Sequence, residues 1–362
     1  MISRRTIWLW IALTALVISS CGKNEPQGSD DAWEPLTGDT PISFNTSTST
    51  LQTKTTTSLE PNTHFGVFAF YQPGVIGGAS GEWSSSCTPN FMYDQDVRYN
   101  GSTYSYSPIK YWPNNQENTI SFWAYFPHDA SGLSFKTSTG DSYSNSSTGV
   151  PVMQFNAVTG KGLIDLMLAD FDNINQSKPT LGTSVNFTFR HLLSRVIFRF
   201  TKTDDNDDNF TVLLRDVRIT NIYNTADNAN GSWSSYSNQS TLSVYQDTTP
   251  EDDSDNLVVP KTGADDMVLM PIPQPLYGTD AKISITYLVI PSGSSVGDEI
   301  NAEVYVKDLH DGWSQPTDGW EKNTQYTYNV NITPGNPIGL FVTVTTTPWD
   351  IVSAETPGIQ IR

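Results

Sequence analysis

Apolar residues alternate with polar ones in short bursts along most of the chain. Clusters of Gly, Pro, Asn, Asp and Ser divide these bursts, which are rich in Val, Ile, Thr, Phe and Tyr. The clearest are ISFNTST from Ile42, HFGVFAFY from His64, TISFWAYF from Thr119, VNFTF from Val185, RVIFRF from Arg195, FTVLLRDVRI from Phe210, MVLMPI from Met267, KISITYLVI from Lys282, AEVYVKDL from Ala302, QYTYNVNI from Gln325 and GLFVTVT from Gly339. A period of two between turn residues predicts antiparallel strands with one buried and one solvated face.

Helical periodicity is nearly absent from the sequence. Only LIDLMLAD (163–170) and HLLS (191–194) have apolar spacing that suits a turn or two of helix. The strands are too many for one small sandwich, and the polar stretch NINQSKPTLGT, with Pro179 and Gly182, favours a division there. We therefore predict an all-β protein with an N-terminal β-sandwich over 41–182 and a C-terminal β-sandwich over 183–362.

The first 20 residues differ from the rest of the chain. Two arginines precede an apolar stretch over 7–18, and two serines then lead into Cys21. This order of charged, apolar and small residues is typical of a secretory signal peptide. The apolar stretch is also shorter than the roughly 20 residues that a membrane-spanning helix needs. The sequence therefore predicts a signal peptide over 1–20.

The end of this signal, Ile18-Ser19-Ser20-Cys21, resembles a bacterial lipobox. The resemblance implies that Cys21 is lipidated and becomes the new N-terminus; an ordinary signal peptide with an incidental cysteine is the alternative. Acyl chains contribute about 0.8 kcal/mol per buried CH2, so several chains would hold a soluble body on a membrane. Residues 21–40, rich in Gly, Pro and acids, are then predicted to be a flexible tether.

The net charge of the chain argues against two classes of binding partner. The chain has 38 acidic and 20 basic residues, giving a net charge of −18, and removal of the signal with its two arginines makes this −20. Such a charge repels nucleic acid and anionic lipid, so neither is expected as a partner.

Motifs that carry chemistry are few. GSSVG at 293–297 matches the G-x-S-x-G pattern of a hydrolase nucleophile, but a strand-like sequence follows where that motif needs a helix, so Ser295 is interpreted as part of a hairpin loop. The four histidines, His64, His128, His191 and His310, are widely spaced, and no Cys-x-x-Cys or H-E-x-x-H pair accompanies them. We predict no enzyme activity, no cofactor and no metal site.

The acidic runs and the tryptophans also have plain interpretations. DDNDDN from Asp204 lacks the glycine and the bidentate glutamate of an EF-hand loop, and EDDSDN from Glu251 lies in a turn-rich stretch. Both are predicted to be solvated turns, with calcium binding as the alternative. Several of the ten tryptophans lie in strand patterns, as Trp123 does, which favours core packing over a sugar-binding platform.

A longer series of features resembles one known family. After the lipobox come PISFNTSTSTLQTKTTT, FGVFAFYQPG, PIKYWPNNQENTISFWAYFP, DLMLAD, VNFTFRHLLSRVIFRF, YTYNVNI and a closing strand with TPWD, in that order. Together these resemble the fimbrillins of Bacteroidota, the subunits and accessory proteins of type V pili, over nearly the whole mature chain. The resemblance implies two tandem transthyretin-like antiparallel β-sandwich domains.

The resemblance also implies assembly by strand exchange. A lipoprotein precursor reaches the outer membrane, a protease cuts after a basic residue beyond the first strand, and that strand leaves a groove that a neighbouring subunit fills. In this chain the removable strand would be 42–51 and the cut would follow Lys54. Polymerising relatives commonly have Arg there, whereas this chain has no Arg between Arg5 and Arg98.

The strand donated to a neighbour is expected in the C-terminal stretch. Leu340, Val342 and Val344 share one face of GLFVTVT, and Ile359 and Ile361 share one face of the terminal GIQIR. The first set can equally belong to the last strand of the second sandwich, so the final fifteen residues are the preferred donor.

Two functions follow as hypotheses. The preferred one is a structural or adhesive pilus component, a subunit or tip protein of a surface fimbrium, first carried to the outer membrane as a lipoprotein. The alternative is a surface-binding module, possibly for glycans, that keeps its lipid and never polymerises. The surface ligand stays unknown in either case.

Overall fold

The computed structural model describes residues 40–46, 63–157, 163–169, 184–203, 209–247, 257–260, 265–334 and 339–349. The elements it describes are β-strands and one 3-10 turn, Val306–Leu309, and all but two of the strand pairs are antiparallel. The predicted all-β fold is therefore confirmed. Within these ranges no helix combines the length and the apolar character needed to cross a bilayer.

A six-stranded antiparallel sheet forms the centre of the N-terminal half. With strands numbered in chain order, its spatial order is β10 (Phe189–His191), β8 (Met167–Ala169), β5 (Thr119–Phe126), β2 (His64–Gln72), β3 (Met92–Tyr99) and β4 (Tyr104–Ser105). A separate parallel pair, β1 (Phe44–Thr46) with β9 (Val185–Phe187), packs against one face of this sheet. After forming most of the central sheet, the chain therefore places β9 beside β1.

The central strands of this sheet are buried on both faces. Along β2, Phe65 and Val67 join the apolar cluster shared with β1 and β9, whereas Phe68 and Phe70 join a second cluster on the opposite face. Strands β6 (Leu133–Lys136) and β7 (Val152–Asn156) contribute to that second cluster. The expectation of one solvated face is therefore wrong for β2, because a further layer of strands covers it.

Two more sheets enclose the core of the C-terminal half. One has four strands in the order β15 (Met267–Leu269), β11 (Arg195–Lys202), β20 (Thr324–Thr333) and β21 (Gly339–Pro348). The other has the order β18 (Asp298–Tyr305), β17 (Lys282–Pro291), β12 (Phe210–Ala229), β7 and β6, with β13 (Ser232–Gln246) and β14 (Leu257–Val258) also paired to β12. A short pair, β16 (Gln274–Pro275) with β19 (Gly319–Trp320), completes the set.

Strand β12 connects the two halves of the molecule. Its first part pairs with β17 and its last part, Thr225–Asn228, pairs with Asn156–Met153 of β7. Lys136 of β6 also binds the carboxylate of Asp227 at 2.6 Å. One continuous strand therefore carries sheet hydrogen bonding from the C-terminal core to the second N-terminal cluster.

Several local expectations need correction. LIDLMLAD and HLLS form no helical turn in the described residues: the first contains β8, and the second begins with the last residue of β10. Leu166, Met167 and Leu168 are all buried, and a short apolar run buried on both faces cannot be told from a helix by its periodicity. AEVYVKDL is a strand only as far as Tyr305, where the 3-10 turn begins.

The predicted division at 182 stays a prediction. Strands β9 and β10, which follow it, pair with β1 and β8 of the N-terminal half, and β11 begins the C-terminal sheets. The acidic runs at 204–208 and 251–256 lie outside the described residues, as do the signal, Cys21, most of the predicted tether, Lys54, Ile359 and Ile361.

Gly66 gives a test of packing between the central strands. It lies in β2 opposite Tyr125 of β5, and a Cβ atom at this position would overlap the tyrosine ring. We expect Gly66→Ala to lower the free energy of unfolding by about 1–3 kcal/mol, as overpacking does. Urea denaturation measures this loss. In the double variant Gly66→Ala, Tyr125→Leu, the loss should be smaller than the sum of the two single losses, and strict additivity would contradict the proposed clash.

His310 gives a test of pH dependence in the C-terminal core. Its Nε2 lies 2.8 Å from the Tyr328 hydroxyl, its ring stacks on Trp313, and burial lowers its pKa to about 4 from an ordinary 6.5. Between pH 6.5 and 4 the unfolded chain therefore binds a proton that the folded chain does not, so stability falls as pH falls through this window. Urea midpoints at pH 7.5 and 5 should differ less in His310→Gln than in the parent protein; equal differences would contradict the assignment.

Candidate assembly surface

The first described segment of the chain lies between two neighbours. The amide of Ile42 donates to the Lys110 carbonyl at 2.8 Å, and the amide of Trp112 donates to the Thr40 carbonyl at 3.1 Å. One residue after Ile42 the partner changes: the amide of Val185 donates to the Ser43 carbonyl at 2.9 Å, and β1 continues beside β9. Residues 40–46 therefore bridge the segment 110–112 and strand β9.

Aromatic rings surround the inward side chain of β1. The Phe44 ring stacks on Phe187 at 5.7 Å and makes edge contacts with Phe65 and Phe122 at 6.1 and 5.9 Å. Phe44 is 5% exposed and Ile42 is 2% exposed. Burying each of these side chains contributes about 1.5–3 kcal/mol, so β1 is held by a few kcal/mol of apolar burial.

Two tyrosines hold the polar side of the same segment. The Tyr106 hydroxyl donates to the Ile42 carbonyl at 2.8 Å, and the Tyr104 hydroxyl lies 2.7 Å from Oγ1 of Thr46. Burial raises the pKa of Tyr106 to about 12 and also raises the pKa of Tyr104. Both hydroxyls are therefore protonated near neutral pH and available as donors.

Loss of residues 40–46 would leave a defined groove. It would expose Phe65, Phe122 and Phe187, and it would leave the Val185 amide and the Lys110 carbonyl without their present partners. An incoming extended segment with apolar side chains at alternate positions could restore both the ring contacts and the backbone bonds.

The C-terminal strand β21 forms an edge of the four-stranded sheet. All ten of its residues pair with β20, from Gly339 opposite Thr333 to Pro348 opposite Thr324. Leu340, Val342 and Val344, three of the predicted donor residues, are partly buried and pack against the C-terminal core. Phe341 between them is 68% exposed. The alternation predicted for this strand is thus observed, with its apolar face on its own protein.

The end of β21 is fixed near the N-terminal half. The amide of Trp349 donates to the Asn323 carbonyl at 2.9 Å, and its indole ring stacks on the His191 ring with centroids 3.8 Å apart. Nδ1 of His191 in turn lies 2.7 Å from Asp165. Trp349 thereby packs against the second apolar cluster of the N-terminal half.

Much of the groove was not predicted from the sequence. The alternating pattern predicted the strand from Ile42, but it gave no role to the segment 104–112, which supplies Tyr104, Tyr106 and Trp112. The alternating aromatic residues of TYSYSPIKYW were the available signal.

Ser295 lies, as expected, in the loop of the β17–β18 hairpin, and no helix follows it in this part of the described chain. Trp123 is buried in the core, also as expected.

The histidines are less dispersed than their spacing suggests. His64 at the start of β2 and His128 after β5 have ring centroids 5.4 Å apart, and both approach the carboxylate of Asp96. His191 and His310 are buried separately in other parts of the described structure. Sequence spacing could not reveal this cluster. In the sheet, β3 and β5 lie on opposite sides of β2 and bring Asp96 and His128 to His64.

The sequence of this chain is similar to that of known proteins. Residues 52–349 match the family model described as fimbrillin-like. The fimbrium subunit Fim1C of Phocaeicola vulgatus is 30% identical over 237 residues, which cover 60% of this chain and 58% of that relative, so the match spans less than two thirds of the relative's length.

Solved structures resemble the chain in fold. A fimbrial protein from Bacteroides vulgatus ATCC 8482 matches with a TM-score of 0.64 and 20% identity over 85% of this chain and 99% of its own. A candidate cell adhesion protein from Bacteroides uniformis ATCC 8492 matches with a TM-score of 0.52 and 13% identity over 87% of this chain and 100% of its own. Since the family model covers most of the sequence and the fold agrees, this chain belongs to the fimbrillin-like family.

Proposed function

We propose that this chain is a structural or adhesive component of a bacterial surface pilus, exported as a lipoprotein and assembled with other pilus subunits by strand exchange. The observation that carries the proposal is the seating of residues 40–46, a short segment near the N-terminus that fills an aromatic groove between two backbone neighbours. Family membership supports association with other fimbrial subunits at the cell surface. The chain is proposed to have no enzymatic role.

Cleavage after Lys54 is proposed to release the first strand. Once the covalent link is cut, β1 is held only by its few kcal/mol of side-chain burial and its hydrogen bonds. A segment supplied by a neighbour then competes for the same rings and backbone groups. Lipidation at Cys21 is proposed to hold the uncut precursor at the outer membrane, since the lipid lies N-terminal to the cut.

The terminal segment is the preferred donor. For Leu340, Val342 and Val344 to act in a neighbouring subunit, β21 would have to give up its ten-residue pairing with β20 and its contacts with the core. Ile359 and Ile361 carry no such requirement in this proposal, and their spacing matches that of Ile42 and Phe44. A neighbour's Ile359 and Ile361 could therefore occupy the two vacated apolar positions.

The alternative is a lipid-anchored surface-binding protein, possibly for glycans, that never polymerises. Lys54 in place of the Arg common in polymerising relatives favours it, as does the absence of Arg from the whole stretch between Arg5 and Arg98. The two functions differ in what happens at Lys54.

Proteolysis of the purified lipidated precursor tests the first step. Limited trypsin treatment should give one early cut after Lys54, a new N-terminus at Thr55, and then a ladder of polymers in denaturant-free gels. Mass spectrometry of the released fragment should show acyl chains on Cys21. Lys54→Gln should abolish both cut and ladder, whereas Lys54→Arg should preserve them. A cut protein that stays monomeric would support the lipid-anchored alternative.

Substitutions in the tail test the donor. After the cut, Ile359→Asp, Ile361→Asp should remain monomeric, because two charges would enter the aromatic groove. Gln360→Asp is the matched control, since the alternation of an extended strand places it on the opposite face, and it should assemble as the parent does. Size-exclusion chromatography with light scattering measures both. Assembly of the double variant would contradict the tail as donor and favour β21 instead.

A further inference from the structure

Two histidines and an aspartate cluster at one end of the central sheet. His64 begins β2, Asp96 lies in β3, and His128 follows β5. Their ligand atoms, one from each residue, all lie within 4.8 Å of one another. Three strands that are neighbours in the sheet therefore bring together two imidazoles and a carboxylate from distant parts of the sequence.

The distances suit a small transition-metal ion. Nδ1 of His64 lies 2.9 Å from Oδ1 of Asp96, and Nδ1 of His128 lies 3.9 Å from the same oxygen. Ligands bound tetrahedrally to Zn2+ at about 2.0–2.1 Å are roughly 3.3 Å apart, which falls between these two distances. Small rotations of the side chains would therefore place all three atoms around one ion.

His128 has an unused ligand atom. Its Nδ1 is buried and makes no hydrogen bond within the described structure, and the Asp129 carboxylate 3.1 Å away does not meet it in hydrogen-bond geometry. An unpaired buried nitrogen costs free energy, so this atom gains from a metal ion. Asp129 is 71% exposed, which leaves its carboxylate or a water molecule to supply a fourth ligand.

Charged groups surround the three side chains. Arg98 binds Oδ2 of Asp96, leaving Oδ1 directed at the two histidines. On the other side, Oδ1 of Asp94 lies 3.6 Å from Nε2 of His128 and accepts a hydrogen bond from the Tyr125 hydroxyl at 2.6 Å. A carboxylate hydrogen-bonded to the distal nitrogen of a histidine is the usual outer partner of a metal ligand, and a small movement of Asp94 would bring its oxygen from 3.6 Å to that place.

Charge and access also suit a divalent cation. Three carboxylates, from Asp94, Asp96 and Asp129, face one guanidinium, from Arg98, so the cluster is anionic when its histidines are neutral. The His64 side chain is 21% exposed, which leaves the cluster partly open to solvent. Mixed imidazole and carboxylate ligands favour Zn2+ over the harder Mg2+ and Ca2+, which prefer oxygen alone.

We propose that His64, Asp96 and His128 form a zinc-binding site that ties together β2, β3 and the turn after β5. This departs from the expectation, drawn from sequence spacing, that the chain has no metal site. The cluster lies on the face of β2 opposite Phe65, so it is separate from the groove that holds β1. Zinc binding is therefore independent of whether strand exchange occurs.

Calorimetry tests the site directly. Purified, untagged protein is stripped of metal with EDTA, exchanged into chelator-free buffer at pH 7.5 and titrated with zinc chloride. We expect one saturable site per chain. His64→Gln, His128→Gln and Asp96→Asn should each lower the affinity at least tenfold, since even outer partners of metal ligands typically cost 10–100-fold. Asp298→Asn, which removes an exposed carboxylate from β18, is the charge control and should bind as the parent does.

Two further measurements keep the test decisive. Circular dichroism identifies any variant that has failed to fold, and substitution with Co2+ in the parent protein should give the intense visible absorption of tetrahedral coordination. The melting temperature should rise with zinc in the parent and in Asp298→Asn but not in His64→Gln. Absence of saturable binding in the parent, weak octahedral cobalt spectra, or equal affinity in His64→Gln would overturn the proposal.

Discussion

Burial of β2 and β5 on both faces is the constraint on which the rest of the structure depends. Eight of the nine residues of β2 are buried, and the large rings of Phe68, Trp123 and Tyr125 lie on the face that a simple sandwich would leave wet. Two aromatic layers on one sheet require two covering layers, because so much apolar surface cannot face water. Strands β1 and β9 supply one cover, and β6, β7 and part of β12 supply the other.

This arrangement would let the proposed exchange of one cover proceed while the fold persists. Strand β1 makes no sheet bond to β2 or β5 and touches only one of the two aromatic layers. The opposite layer is closed by strands that continue into the C-terminal half through β12. A proposed exchange of β1 would therefore open one layer and leave the other layer and the sheet itself intact.

The two proposed features occupy opposite faces of the same strand. Odd-numbered residues of β2 face β1, and even-numbered ones, from His64 through Gly66 to Phe68, face the histidine cluster or the second aromatic layer. Gly66 has no side chain where the Tyr125 ring crosses β2 to reach Asp94. The same local absence of a Cβ atom thus permits both dense packing and the polar cluster at the end of the sheet.

The sequence by itself determined the fold class, most of the long strands and the family resemblance, because alternation at period two is a local property that needs no knowledge of partners. Thr119–Phe126 was predicted to the residue, and the alternation of Leu340, Val342 and Val344 was correct. Only the tertiary structure decided which strands and which side chains are neighbours. Contacts between residues far apart in the chain produce the parallel pairing of β1 with β9, the length of β12, the placement of the tyrosines around Ile42 and the approach of His64 to His128. A one-dimensional pattern does not encode these distances.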